Sequence, residues 1–160
     1  MYQWIVLIHV LAALAFFMAH GASAAMVLRL RRERQIERNK AILDLSNAAV
    51  PFAYLALIVL VLAGVIAGIM GNWFSRGWIW TALVLLVVLW FGMAAYAQRF
   101  YAPVRKALGL PHRGQVKQSA QPASDAEIAA ALQAGSPMAL LGFTFVVVGI
   151  ILWLMMFKPF

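Results

Sequence analysis

Residues 50–70 read VPFAYLALIVLVLAGVIAGIM, an unbroken apolar run without a charged side chain. At 1.5 Å per residue, a helix of this length spans about 30 Å, the thickness of a bilayer's hydrocarbon core. Three further stretches have the same character, at approximately 4–28, 78–97 and 138–157. Together they predict an all-α fold, a four-helix transmembrane bundle forming one domain over 1–160.

The bulk numbers agree. Of 160 residues, 65% are hydrophobic and only 11% are charged, whereas a water-soluble domain carries about a quarter charged residues. A net charge of +8 can signal nucleic acid, but here the basic residues flank the apolar runs, where they set orientation and meet anionic headgroups. The reading is therefore a lipid bilayer partner and no nucleic acid. The absence of cysteine excludes disulfides, thiolate nucleophiles and Cys-ligated metal centres. Gly21-Ala22-Ser23-Ala24-Ala25 has the look of a signal-peptide cleavage site. No positive charge precedes the run, however, and a dense basic cluster follows it, the reverse of a secretory signal. The segment is read as a retained first helix.

Orientation follows from the Lys and Arg count. Arg29, Arg31, Arg32, Arg34, Arg38 and Lys40 lie between spans one and two. Arg99, Arg105, Lys106, Arg113 and Lys117 lie between spans three and four. Only Arg76 and Lys158 fall on the other side, a tally of eleven against two. The positive-inside rule places both long loops in the cytoplasm and both chain ends outside, N-out/C-out, as a multi-pass protein of the bacterial cytoplasmic (inner) membrane. Trp4, Trp73, Trp78 and Trp80 suit the outer interface, and Tyr96, Phe100 and Tyr101 the inner one.

Val27–Leu45 contains no Gly or Pro, so span one is expected to continue into the cytoplasm as a charged helix. Arg29, Arg31, Arg32 and Arg34 would then lie against lipid headgroups. Pro51 is expected in the first turn of span two, where proline is tolerated. In the third loop, Leu110–Pro122 reads as irregular. Ser124-Asp125-Ala126-Glu127 forms a capping-box pattern before an alanine-rich stretch ending at Gly135. It predicts a short cytoplasmic amphipathic helix between spans three and four. Ser136-Pro137 can start span four.

Lipid gives no hydrophobic push between helices, so small residues mark close approach. Gly64 and Gly68 form a small-xxx-small pair in span two. Gly142 and Gly149 share one face of span four. These mark packing within the chain or self-association. His9 and His20 are the candidate cofactor-binding residues, because ionisable groups inside a span face protein or water. Eleven apart, they share a face of one helix about 16 Å from end to end. Three readings stay open. The histidines can be haem axial ligands with a methionine as partner, they can bind a metal ion such as copper with Met sulfurs, or each can bond a carbonyl or hydroxyl on a neighbouring helix. No Asp or Glu lies within a span, which argues against transport through buried carboxylates and leaves no catalytic residues to name.

Several segments also carry a family pattern: His9-Val10-Leu11-Ala12-Ala13, the small-rich 21–25, Leu28-Arg29-Leu30-Arg31-Arg32-Glu33, Trp78-Ile79, and the closing Trp153-Leu154-Met155-Met156-Phe157-Lys158-Pro159. The chain resembles a family of small bacterial four-span integral-membrane proteins of unknown function, distantly similar to copper-resistance D-like membrane proteins. The resemblance implies four helices, a bacterial membrane and His9 as the position to test. The resulting expectation is an accessory or structural subunit of a larger bacterial membrane complex, respiratory or photosynthetic, with other membrane subunits or itself as partner. The alternatives are a haem-b electron-transfer protein using His9 or His20, and a copper- or other metal-handling protein.

Overall fold

Four helices long and apolar enough to cross a membrane make up the chain, seen in a computed structural model that describes residues 1–110, 123–134 and 136–160. Helix α1 runs Tyr2–Leu30 and α2 runs Ile36–Met70. A 3₁₀ turn, Trp73–Ser75, leads to α3, Gly77–Tyr96. A π-helical turn, Ala97–Tyr101, passes without interruption into α4, Ala102–Ala107. The short α5, Asp125–Gln133, precedes α6, Pro137–Phe157. Residues 111–122, expected to be irregular, lie outside the described residues, as do His112 and Gly135.

The helices form two antiparallel hairpins, α1 against α2 and α3 against α6. Three apolar layers hold them together. The outer layer is Trp78, Ile79, Ala82 and Leu154. The middle one takes a residue from each spanning helix: Phe16, Ala56, Leu89 and Val147. The inner layer is the largest and joins Val27, Leu30, Leu43, Phe100, Val104 and Leu108 to Ile128 and Leu132 of α5. Large side chains such as Phe145, Val84 and Ile69 point outward, the arrangement of a bundle solvated by lipid. Both chain ends lie at the end of the bundle opposite the basic loops. Tyr2 meets the Trp73 ring edge-on at 5.8 Å, and the Trp78 N–H donates to the Phe160 carbonyl at 3.2 Å.

The charged extension belongs to α2, not to α1 as the sequence suggests. Helix α1 stops at Leu30, and α2 starts at Ile36, well before its apolar segment. Glu33 causes the break. One of its carboxylate oxygens accepts the backbone N–H groups of Arg34 and Gln35, at 3.0 and 3.1 Å. The other meets Arg29 at 3.2 Å and Arg38 at 3.7 Å. A side chain thus takes up donors that a continuous helix would use itself. Pro51 consequently sits in the interior of a 35-residue helix rather than in a first turn. Its ring supplies no N–H to the carbonyl one turn back, at Asn47.

The Gln35 N–H, the Arg34 N–H and the charges of Arg38 and Arg29 hold the Glu33 carboxyl below its ordinary value, against the opposing effect of burial. A folded pKa below the unfolded one gives stability that is complete above the ordinary value and lost as pH falls through the folded value. Thermal stability in detergent should therefore drop on acidification below about pH 4.5. The drop should shrink in Glu33→Gln, and equal pH profiles for the two proteins would refute this role for the carboxylate.

Span three also outruns its expected end, continuing through the π turn to Ala107. Pro103 lies just beyond that turn and has no N–H for the Arg99 carbonyl. Its ring also crowds that carbonyl, so the helix widens there. The short amphipathic helix is present as α5. Its capping box is complete, with the Glu127 N–H on Ser124 Oγ at 3.4 Å and the Ser124 N–H on Glu127 Oε2 at 3.0 Å. Ser136 caps α6, accepting the Ala139 N–H at 3.3 Å.

Candidate functional site

His9 packs against a glycine. A Cβ built on Gly64 would fall 2.9 Å from His9 Cε1. Only a residue without a side chain lets the imidazole reach the α2 backbone, where Nδ1 donates to the Leu60 carbonyl at 2.8 Å. Gly68, one turn on, receives the Phe74 ring, whose nearest atom would lie 2.8 Å from a Cβ there. The other glycine pair differs. Among the described residues nothing lies within 4 Å of where a Cβ would stand on Gly142 or Gly149.

His20 occupies the same stripe of α1 but meets α6. Its Nε2 lies 3.2 Å from Thr144 Oγ1. Each histidine thus makes one hydrogen bond to a neighbouring helix, worth about 0.6–2 kcal/mol in a membrane interior. Their surroundings differ. His9 is half-buried against the α2 backbone, whereas His20 stands on the wall of a cavity of about 460 Å³ bounded by α1, α2, α3, the π turn and α4, with Leu140 of α6.

The wall of this cavity changes character along its length. Phe16, Leu57 and Trp90 surround the end near mid-membrane, while Ser46, Asn47, Gln98 and Arg105 surround the other. Tyr101 ties three elements together at that end. Carried on the π turn, its hydroxyl donates to the Ser23 carbonyl of α1 at 3.1 Å and engages Ser46 of α2. Arg105 reaches the Leu43 carbonyl at 3.3 Å and Asp44 at 3.6 Å. The Tyr96 hydroxyl, also on the cavity wall, is shut off from solvent and has no hydrogen-bond partner among the described residues.

Sequence reading singled out His20 but not its neighbours Thr144, Tyr96, Tyr101 and Arg105. A lone threonine in an apolar span was the one available signal for Thr144. The tyrosines read as interfacial aromatics, and nothing in their spacing foretold the π turn that aims Tyr101 inward. Of the four basic residues assigned to headgroups, Arg31 does something further. Its guanidinium donates to the Leu132 and Gln133 carbonyls at the end of α5, at 3.2 and 2.8 Å. Arg29 pairs with Glu33, and Arg32 and Arg34 are exposed.

As a cofactor site the cavity offers one imidazole, His20, and one thioether, Met93. His9 is about 16 Å away along the same helix and cannot supply a second ligand there. Among the described residues no three His, Asp or Glu side chains converge on a point that could hold a metal ion. Comparison with protein-family profiles, curated proteins and solved structures finds no match for the chain.

Proposed function

We propose that the chain is an accessory or structural subunit of a larger bacterial membrane complex, respiratory or photosynthetic, and that α6 is the helix docking against its neighbour. The support is a single outward stripe: Met138, Gly142, Phe145, Gly149, Leu152 and Met156 recur at alternating spacings of four and three. All six are exposed. That spacing is the seam along which two helices interdigitate. The two glycines would let a partner backbone approach, and the bulky side chains between them would fill its holes. Phe145, at 82% exposure, is the most prominent of them. The resemblance noted above supplies the bacterial setting.

Gly142→Leu with Gly149→Leu tests the docking. Because nothing among the described residues faces either glycine, the isolated protein should keep its stability to within about 0.5 kcal/mol. Stoichiometric co-purification with other subunits in mild detergent should be lost. A wild-type chain that leaves native membranes as a lone monomer would overturn the proposal. A Soret band on the purified protein, lost in His20→Ala, would put a haem-b electron carrier in its place.

A further inference from the structure

Small side chains leave the cavity beside His20 open. Ala19 of α1, Ala53 of α2, Ala94 of α3 and Ala97 of the π turn all line it. Its mid-membrane end carries aromatic rings from three helices. Phe16 packs in the middle apolar layer with Ala56 and Leu89. Tyr54 and Trp90 follow those two partners within two residues, so the three aromatic positions lie within about 3 Å of one depth, and all three line the cavity. One helical turn inward of Phe16, His20 borders the alanine-lined space. Its Nε2 is taken by Thr144 at 3.2 Å, which leaves Nδ1 to serve an occupant. Tyr54 and Trp90 are also surface-exposed, at 38% and 42%. They belong to α2 and α3, which sit in different hairpins and touch little along their spans. The cavity therefore opens sideways into the bilayer.

Charge decides what can sit there. Among the described residues the wall carries no carboxylate and one arginine or lysine, Arg105. Arg105 is already engaged by Asp44 at 3.6 Å and by the Leu43 carbonyl at 3.3 Å. A charged occupant would lose its hydration and gain no ion pair, so the cavity suits a neutral one. Rings on three sides favour a flat, conjugated group, and the gap between α2 and α3 gives an attached hydrocarbon chain a way out to lipid. A volume of about 460 Å³ lies in the range of small-molecule sites. We propose that the cavity binds the head of a lipid-soluble quinone. The molecule enters between α2 and α3, seats its ring among Phe16, Tyr54 and Trp90, turns one ring oxygen toward His20 Nδ1 and leaves its tail in the gap. A neutral imidazole serves both redox forms, donating to a quinone oxygen or accepting from a quinol hydroxyl according to its tautomer. This deepens the reading of the chain as a respiratory or photosynthetic subunit and rests on it for the presence of quinone in the membrane. Docking through α6 is a separate property, because quinone is added to the isolated chain in the test below.

Native mass spectrometry of the full chain in detergent with decylubiquinone, a benzoquinone on a short alkyl tail, reads the binding. The wild type should retain one decylubiquinone per chain. Ala94→Phe, which fills the cavity from α3, should abolish retention. His20→Leu should lower affinity about tenfold, the loss of one hydrogen bond to the ring oxygen. Thr144→Val breaks the same interhelix bond from a residue outside the cavity wall and should bind like the wild type. Decanol, with the tail but no ring, should bind at least about tenfold more weakly than the quinone. Equal retention by wild type, Ala94→Phe and His20→Leu would mean partition into the micelle and would overturn the proposal. So would an equal loss in His20→Leu and Thr144→Val, which would reduce the imidazole to a tie between helices. Equal binding of decanol and decylubiquinone would also overturn it, as would a Soret band on the purified protein, which would assign the cavity to a porphyrin.

Discussion

Gly64→Leu is expected to destabilise the bundle by about 1–3 kcal/mol. A first side-chain carbon at this position would already lie 2.9 Å from the His9 ring, well inside van der Waals contact, and leucine adds three more heavy atoms. The imidazole would have to leave the Leu60 carbonyl, which it meets at 2.8 Å. The α1–α2 hairpin would lose its polar pin and the seat of the ring on the α2 backbone together. Unfolding by SDS or heat in detergent measures the loss. His9→Ala provides the internal control. With the ring removed, the added cost of Gly64→Ala should fall toward zero, because the atom that it strikes is gone. A Gly64→Ala penalty unchanged in the His9→Ala background would show that the glycine serves some other contact.

Arg31→Ala should release α5 from the underside of the bundle. Two hydrogen bonds from a charged donor to the last carbonyls of that helix would be lost, each worth about 1.5–3 kcal/mol. The helix has only nine residues, too short to persist in water without tertiary support. Its remaining hold would be Ile128 and Leu132 in the inner apolar layer and the Ala123 N–H on the Ala107 carbonyl at 2.9 Å. Amide hydrogen exchange over residues 123–134 should accelerate strongly in the variant, while exchange within α1, α3 and α6 stays near wild type. Arg31→Lys should rescue only in part, since an ammonium cannot donate to both carbonyls in the fixed planar fork of a guanidinium. If exchange in α5 is unchanged by Arg31→Ala, the apolar contacts alone hold it.

The four spans and α5 were legible because length, hydropathy and a capping box are local signals. What could not be read was rotation. A helix apolar on every side gives no amphipathic stripe to say which face is inward. Gly64 and Gly142 both read as packing glycines, yet the first cradles His9 and nothing among the described residues lies within 4 Å of a Cβ on the second. The break at Glu33 was hidden for a different reason. It depends on a carboxylate folding back onto backbone donors in a segment with no Gly or Pro to announce a turn. His9 and His20 were legible as ionisable residues inside a span. Their partners, a backbone carbonyl and a threonine hydroxyl on other helices, depend on tertiary geometry. The cavity was invisible altogether, because its wall is assembled from many elements and its polar end relies on the π turn.

That wide turn lets a single rod serve two storeys. Adding a residue to one turn shifts the phase of everything after it by about 100°. Above the turn, Leu89 faces the mid-membrane layer shared with α6. Within the turn and below it, Phe100, Val104 and Leu108 face α5 and the end of α1. The surplus residue works like a mitre joint, re-aiming the lower part without a loop that would expose unpaired backbone where lipid begins.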